Sequence, residues 1–328
     1  MTEKNVVTAI RDTLLEEMRG DERVVVLGED VGARGGVFRV TQGFLEEFGD
    51  RRVIDTPLAE SGIVGVAIGM AMHGLLPVAE IQFADFIHPA FDQIVSEAAR
   101  IRYRSNGDFG VPLVIRAPYG GGVHGALYHS QSIEAYYGHV PGLKVVAPAT
   151  PGDAAGLLRA AIHDPDPVLF LEHKKTYRLI TEDVPDEPRE VPIGRADVKR
   201  EGSDLTVVAY GLMLHHCLEA AERLEREEGS SAEVVDVRTI APLDRETILG
   251  SVRKTGKAMV VYEDNRTYGA GAEIVATIAE EAMFDLDGPI LRVGGPDVPA
   301  MGFAAPLEHA FLPDAERIYE RMRELARF

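Results

Sequence analysis

Short apolar runs alternate with helical patterns along almost the whole chain. The run at residues 24–27 follows an amphipathic pattern over residues 6–18, and the run at residues 168–171 follows another over residues 151–163. A short, continuous apolar run bounded by turn signals is typical of a strand that is buried on both faces. Because such strands alternate with helices, the sequence predicts an α/β fold with a parallel sheet covered by helices on both sides.

One stretch interrupts this alternation. Residues 181–195, TEDVPDEPREVPIGR, carry three prolines and five acids and show no hydrophobic period, so we interpret residues 181–200 as a linker. A first α/β domain is expected at residues 1–180 and a smaller second one at residues 201–328, since a chain of 328 residues suits two domains of ordinary size. Further strands are predicted at residues 52–54, 76–81, 111–116, 143–146, 205–210, 232–236, 258–262 and 290–293, and further helices at residues 41–48, 89–103, 214–227, 245–252 and 271–283.

The charge and the cysteine content limit the partners and the compartment. The 34 basic and 53 acidic residues leave a formal charge of −19, which disfavours binding to nucleic acid or to an anionic membrane. Cys217 is the single cysteine, so no internal disulfide can form and a reducing compartment is expected. The first 18 residues have helical periodicity without a continuous apolar run, which argues against a signal peptide. We therefore expect a cytoplasmic protein.

The stretch DTPLAESGIVGVAIGMAMHG, residues 55–74, places one carboxylate, Glu60, before a run that is apolar on every side. Such a run predicts a buried helix, and it is too short to cross a bilayer, which takes about 20 residues. Gly62, Gly65 and Gly69 form one line on this helix, here called the glycine stripe, where a second helix of this or another chain can approach closely. Glu60 has two interpretations: an acid that complements the helix dipole, or a functional carboxylate.

The loop YGGGVHGALYHSQS, residues 119–132, follows a predicted strand and carries two histidines. Histidine titrates near neutral pH, so His129 is the stronger candidate for proton transfer and His124 the weaker, although either can be a structural residue. The spacing Gly-x-Gly-x-x-Gly also occurs in dinucleotide sites, but no helix opens directly behind the last glycine as such a site requires. A serine hydrolase is disfavoured because no G-x-S-x-G motif surrounds Ser130 or Ser132.

Four stretches carry a resemblance to a known family: DTPLAESGIVGVAIGMAMHG, AEIQFADFIHPAFDQIVSEAARIRYRS, GGGVHGALYHSQSIEAYYGHVPGLKVVAPATPGDA and DPVLFLEHKKTYR. Over essentially its whole length the chain closely resembles the β subunits of the thiamine-diphosphate-dependent E1 component of 2-oxo acid dehydrogenases. The segment HGALYHSQS resembles the branched-chain members more than the pyruvate members. The resemblance implies a pyrimidine-binding α/β domain followed by a transketolase C-terminal-like domain.

The resemblance also implies a role for individual residues. Glu60 matches the family glutamate that hydrogen-bonds N1′ of the cofactor's aminopyrimidine, where it favours the imino tautomer that accepts the C2 proton. Leu58, Gln82 and Phe86 match residues that line the pyrimidine pocket. Many branched-chain members have tyrosine where Phe86 stands, so the corresponding hydrogen bond is missing here. His129 matches the family histidine that faces the reacting carbon and serves decarboxylation or acyl transfer to the lipoyl arm.

Metal ions and partner chains follow from the same resemblance. Relatives that bind the diphosphate on one chain carry a Gly-Asp-Gly motif that positions Mg²⁺, and this sequence has no such motif. An α subunit that holds Mg²⁺ and the diphosphate is therefore implied, in an α2β2 heterotetramer, together with a lipoyl-bearing E2 acyltransferase. The resemblance further implies a structural potassium site, bound largely through backbone oxygens, at Leu113, Val114, Ala161, Asp164 and Asp166.

We therefore expect the β half of an acyl-transferring, lipoamide-dependent 2-oxo acid dehydrogenase whose substrate is a branched-chain 2-oxo acid. One alternative is the E1 β subunit of a pyruvate or acetoin dehydrogenase, which would differ mainly in pocket volume. The other alternative is a non-catalytic subunit that only docks E2 through its second domain.

Overall fold

The structure, a computed structural model, describes residues 2–185 and 189–328. The chain groups into two compact units: one takes in the chain up to residue 119 and between residues 136 and 193, and the other takes in residues 120–135 and 194–328. Both units are built on mainly parallel strands that alternate with helices. The predicted α/β fold is confirmed.

The chain from residue 2 to residue 185 begins with a short strand that leads directly into the first long helix. Its elements are β1 (Thr2–Asn5), α1 (Val6–Gly20), β2 (Val24–Gly28), α2 (Phe44–Phe48), β3 (Val53–Asp55), α3 (Glu60–Met72), β4 (Leu76–Glu80), α4 (Ile101–Arg104), β5 (Val114–Tyr119), α5 (Glu134–Gly138), β6 (Lys144–Val146), α6 (Pro151–His163), β7 (Val168–His173), α7 (Thr176–Leu179) and β8 (Thr181–Val184).

The main sheet of the first unit contains parallel strands in the order β6-β7-β5-β4-β2-β3. Because the strands are parallel, their carboxyl ends share one edge, which is where ligands bind in such sheets. Strands β1 and β8 pair antiparallel beside it. Helix α1 is capped by the Asn5 side chain, which accepts a hydrogen bond from the Thr8 N–H at 2.8 Å, and it buries its apolar face in the core. The residues of that face are Val6, Ala9, Ile10, Thr13, Leu14 and Met18.

The chain from residue 189 to residue 328 forms a second sheet. The elements of this part of the chain are β9 (Asp197–Arg200), β10 (Leu205–Ala209), α8 (Leu212–Glu228), β11 (Ala232–Asp236), β12 (Thr239–Ala241), α9 (Arg245–Thr255), β13 (Ala258–Asn265), α10 (Gly271–Ala282), β14 (Leu291–Gly295), α11 (Ala305–Phe311) and α12 (Ala315–Ala326), and β12 is not a strand of the second sheet. The strand order is β14-β13-β10-β11-β9, with β9 antiparallel to β11 and the remaining pairs parallel.

Three local differences from the sequence analysis stand out. The predicted helix at residues 89–103 is a series of short pieces: a 3₁₀ turn at His88–Ala90, a π-helical segment at Gln93–Ala98 and α4. Strand β1 and helices α11 and α12 were not predicted. Short strands occupy both ends of the predicted linker at residues 181–200, and residues 186–188 of that prediction lie outside the described residues. The domain boundaries at residues 180 and 201 stay a prediction.

Helix α3 corrects the expectation of a helix buried on all sides. Ile63, Val64, Ala67, Ile68 and Ala71 are buried, but the glycine stripe lies on the surface of the chain. A side-chain carbon built at Gly69 would meet no heavy atom within 4 Å. Helix α3 is apolar on both faces. The chain itself covers one face, and the other is exposed in the isolated chain.

Candidate functional site

Glu60 is the first residue of helix α3 and follows strand β3 by a short turn. Its carboxylate complements the helix dipole, and within residues 2–185 and 189–328 it makes no hydrogen bond or ion pair with another side chain. Glu29, which directly follows β2, is its electrostatic neighbour. Burial raises the pKa of Glu29, and the negative charges of Asp30 and then of Glu60 raise it further. The structure thus brings acids from the ends of β2 and β3 close together.

Gln82 and Phe86 follow strand β4 at the same edge of the sheet. The Gln82 side-chain amide donates to Asp30 Oδ2 at 3.5 Å, which joins Gln82 to the acids near Glu60. The Phe86 ring packs edge-on against Phe83, with 5.7 Å between ring centroids. Leu58, in the turn before α3, is 72% exposed.

These residues supply the kinds of group that bind a planar nitrogen heterocycle. Glu60 supplies a carboxylate that no described side chain pairs with, Gln82 an amide, and Phe86 an aromatic ring, while Leu58 offers an exposed apolar side chain. Such a set of one charged, one polar and two apolar groups is typical of a small-molecule site. This set is chemically compatible with an aminopyrimidine ring, and the assignment of these four residues to such a ring stays a prediction.

A buried ionic network lies beneath this cluster. The Arg116 guanidinium is 1% exposed, and it donates to Glu80 Oε2 at 2.6 Å and to the two Glu172 carboxylate oxygens at 2.6 and 2.9 Å. Tyr177 Oη donates to the same Glu172 carboxylate. Burial raises the pKa of Glu80, although the charge of Arg116 opposes that rise. The network joins β4, β5 and β7. Because Glu80 ends β4 and precedes Gln82 by two residues, the network holds in place the sheet edge that carries the site.

His129 belongs to the second unit, whereas Glu60 belongs to the first. It is half-buried and follows a 3₁₀ turn at Ala126–Tyr128. The Gly120 N–H donates to the Gln131 carbonyl oxygen at 3.0 Å and closes the loop. A side-chain carbon at Gly125 would lie 2.5 Å from the His129 carbonyl oxygen and 2.8 Å from His129 Cβ, so only glycine allows this close contact.

The residues predicted for potassium lie together where α6 leads into β7 and beside the start of β5. Leu113 contributes a carbonyl that accepts the Val168 N–H at 2.9 Å, and the Ala161 carbonyl accepts the Asp164 N–H at 3.4 Å. The Lys144 ammonium contacts the two Asp164 carboxylate oxygens at 2.6 and 2.5 Å. Arg102 pairs with Asp166, and Val114 begins β5. No cluster of three or more His, Cys, Asp or Glu side chains suited to a metal ion occurs in the described parts of the chain.

The exposed face of α3 extends the apolar surface beyond the glycine stripe. Val66 is 55% exposed and Met72 is 39% exposed. Single exposed apolar side chains are ordinary, but a continuous apolar helix face is a feature of interaction surfaces. No helix within residues 2–185 and 189–328 has both the length and the apolar character needed to cross a membrane.

Glu29, Glu80 and the buried acids of the second unit were not identified as site residues from the sequence. Glu29 and Glu80 directly follow or end strands of the parallel sheet, and this position alone could have indicated them. The second unit also buries three acids, Glu134, Glu263 and Glu308. From sequence alone, an acidic residue is expected to be exposed to solvent.

Comparison with known proteins identifies the family of both parts of the chain. Residues 2–180 match the family model "Transketolase, pyrimidine binding domain", and residues 194–318 match "Transketolase, C-terminal domain". The chain is 57% identical to the 2-oxoisovalerate dehydrogenase subunit beta of Bacillus subtilis (strain 168) and 48% identical to the pyruvate dehydrogenase E1 component subunit beta of the same organism, with all of each chain covered. A solved structure titled "Split gene transketolase, inactive beta4 tetramer" superposes with a TM-score of 0.80 at 26% identity, covering 99% of this chain and 98% of the other. The chain therefore belongs to the family of thiamine-diphosphate-dependent 2-oxo acid dehydrogenase E1 β subunits.

Proposed function

We propose that this chain is the β half of an E1 that decarboxylates a branched-chain 2-oxo acid and passes the acyl group to the lipoyl arm of an E2 acyltransferase. The observation that carries the substrate assignment is the higher identity to the 2-oxoisovalerate subunit than to the pyruvate subunit of one organism. Both alignments span 328 residues, so unequal coverage does not cause the difference.

The substrate assignment is tested with the α/β complex reconstituted from this chain and the α subunit of the same genome. We expect kcat/KM for decarboxylation to be at least tenfold higher with 3-methyl-2-oxobutanoate than with pyruvate, since pocket volume is worth roughly 10- to 200-fold in discrimination. A preference for pyruvate would support the alternative substrate and remove the branched-chain assignment.

Glu60 is proposed to hold a proton at N1′ of the aminopyrimidine. Thiamine diphosphate, when bound, supplies a carbon nucleophile that protein side chains lack. The Glu60 carboxylate forms no hydrogen bond or ion pair with another side chain among the described residues, so it is available to a ring nitrogen. Leu58 and Phe86 are proposed to contact the faces of the ring and Gln82 its polar edge, which orients the ring toward Glu60.

His129 is proposed to exchange a proton with the reacting group during decarboxylation or transfer to the lipoyl arm. An imidazole can perform both directions of such a transfer near neutral pH, and the loop keeps His129 half-buried. His129→Ala in the α/β complex is expected to lower the rate of lipoyl-domain acylation by about 100-fold, which is a typical contribution of a general acid or base. Acylation at the wild-type rate would rule out this role.

The α subunit is proposed to cover the exposed face of α3. The glycine stripe leaves room for a close helix contact, and its glycines each weaken the helix by roughly 1 kcal/mol relative to alanine, a cost that close packing would offset. We propose an α2β2 assembly in which the α subunit holds Mg²⁺ and the diphosphate, because this chain lacks the Gly-Asp-Gly motif. Sedimentation equilibrium of the mixed subunits tests the stoichiometry.

Thiamine diphosphate binding separates this proposal from its alternatives. Calorimetry with Mg²⁺ is expected to show binding only after this chain is mixed with the α subunit. Tight binding by this chain alone would contradict a site divided between two chains. A Glu60→Ala complex that assembled and kept full activity would instead favour a non-catalytic subunit that docks E2.

A potassium ion is proposed at Leu113, Val114, Ala161, Asp164 and Asp166. The proposal is supported by carbonyl oxygens that each keep a second lone pair after accepting one hydrogen bond. The carboxylates of Asp164 and Asp166 already have basic partners, so the ion would be bound through backbone oxygens. Replacement of K⁺ by Na⁺ at constant ionic strength is expected to lower the melting temperature of the complex, and equal melting temperatures would contradict the site.

A further inference from the structure

The loop that carries His129 has a backbone that needs external support. His124 and Ala126 have φ angles of 56° and 55°, in the left-handed region that residues other than glycine rarely adopt. Such conformations persist only where the surrounding structure holds them in place. Two buried carboxylates of the second unit provide contacts of this kind.

Glu308, in α11, is 1% exposed and binds the loop at three points. Its Oε1 accepts the Gly122 N–H at 2.9 Å and the His124 N–H at 3.0 Å, and its Oε2 lies 2.8 Å from His124 Nδ1. Glu263, in β13, accepts the Gly121 N–H at 2.6 Å through Oε1. Hydrogen bonds to a carboxylate are stronger than those between neutral groups, and more so away from water. Consecutive parts of the loop are therefore fixed to buried acids.

The same contacts reach His129 through one intervening residue. Gly125 follows His124 directly and packs against the backbone and Cβ of His129, where an added side-chain carbon would lie 2.8 Å from that Cβ. The hydrogen bond from Gly120 to Gln131 closes the loop on the other side. A shift at His124 is thus transmitted to His129, because no free space separates Gly125 from it.

We propose that Glu308 is a positioning residue for His129, and that it acts by holding residues 122–124 and the His124 imidazole. This inference rests on the proposed function of His129. Glu308 does not itself meet the substrate; it fixes the loop so that the His129 imidazole stays aligned for proton transfer.

A double-mutant cycle tests this role in the reconstituted α/β complex, with acylation of an isolated lipoyl domain as the assay. Glu308→Gln keeps one carbonyl acceptor but loses the charge, and it is expected to lower the acylation kcat about tenfold with little change in the KM for the lipoyl domain. In a His129→Ala background the same substitution should lower kcat by less than about twofold, because the group it positions is gone. His124→Ala removes the imidazole contact with Glu308 and leaves the hydrogen bonds from the loop backbone. It should lower the acylation kcat about threefold, and it tests the same contact if Glu308→Gln fails to fold.

Glu233→Gln is the matched control, because Glu233 is also a buried carboxylate of the second unit but pairs with Lys254 and not with the loop. It is expected to leave the acylation kcat unchanged. A tenfold loss from Glu308→Gln that persists in the His129→Ala background would overturn the positioning role alone. Wild-type acylation by His129→Ala would overturn the proposed role of His129 and the inference together.

Discussion

Replacement of Glu134 by glutamine is expected to remove a large pH dependence from the stability of the second unit. Glu134 is fully buried, and its Oε1 accepts a hydrogen bond from Tyr210 Oη at 2.7 Å. Its Oε2 has no hydrogen-bond partner within the described residues. Burial, and then the nearby Asp264 carboxyl group, raise the pKa of Glu134 from 4.5 to about 8. The native state therefore favours the neutral carboxyl group.

The sign and size of the effect follow from proton linkage. The unfolded chain releases the Glu134 proton near pH 4.5, whereas the native state retains it to about pH 8. The native state binds more protons in this interval, so its stability is fully present below pH 4.5 and falls by roughly 1.4 kcal/mol per pH unit above it. Between pH 5 and pH 8 the loss from Glu134 amounts to about 3 kcal/mol, because the slope flattens as the pH approaches the native pKa. Burial also raises the pKa of Asp264, to about 6.

Urea unfolding followed by far-ultraviolet circular dichroism at pH 5, 6, 7 and 8 measures this effect. Glu134→Gln keeps a carbonyl acceptor for Tyr210 and cannot ionise, so it should match the wild type at pH 5 and exceed its free energy of unfolding by about 3 kcal/mol at pH 8. Glu233→Gln is the control. Burial acts to raise the pKa of Glu233, but hydrogen bonds led by that of Lys254 outweigh it and lower the pKa. The stability lost in that variant is constant from pH 5 to pH 8. A difference between Glu134→Gln and wild type that did not change with pH would refute the reasoning.

Three further predictions concern the first unit. Glu60→Gln should lower the decarboxylation rate about a thousandfold without loss of assembly, because a carboxamide cannot hold the proton at N1′. The rate and the sedimentation of the complex are measured on one sample, and a rate within tenfold of wild type would contradict the proposed role of Glu60. Gly69→Leu should block association with the α subunit. Gly250→Leu is the control, because a side-chain carbon at this other helical glycine would also meet no heavy atom within 4 Å, and it should leave association unchanged. Both variants should preserve or raise the melting temperature of the isolated chain, and equal binding of the α subunit by the two would argue against the proposed interface. Arg116→Met should destabilise by about 3–5 kcal/mol at pH 7 in urea unfolding, and less at acidic pH, because two buried carboxylates lose their cation. Arg223→Met, at an exposed pair, should have a much smaller effect, and a similar loss in both variants would be evidence against the reasoning.

The parallel strands could be predicted because each one has a local apolar pattern in the sequence. The runs at residues 24–27 and 168–171 contain mostly β-branched and leucine side chains, and they form β2 and β7 with each residue buried. The predicted helix at residues 89–103 is wrong in detail, since a π-helical turn changes the hydrogen-bonding partner and not the apolar character that the pattern detects.

The supporting acids could not be found in this way, because their partners are distant in sequence. Glu308 binds Gly122 across 186 residues, and Arg116 binds Glu172 across 56. Local sequence patterns contain no information on such pairs. An acid in a helix such as α11 is predicted to be exposed to solvent, and only the folded structure shows that it is buried. Glu60 and His129 were candidates from the residues alone, but their specific roles came only from the family resemblance and stay predictions.

The exposed face of α3 has a consequence for how a cell must make this protein. An apolar helix surface with room for another helix can bind other hydrophobic segments. If the α subunit covers this face as proposed, chains synthesised in excess of it would be bound by chaperones or lost to aggregation and proteolysis. Balanced synthesis of the two chains, as from neighbouring genes in one transcript, would shorten the time that this surface stays uncovered. Recombinant production should accordingly yield more folded protein when both subunits are expressed together.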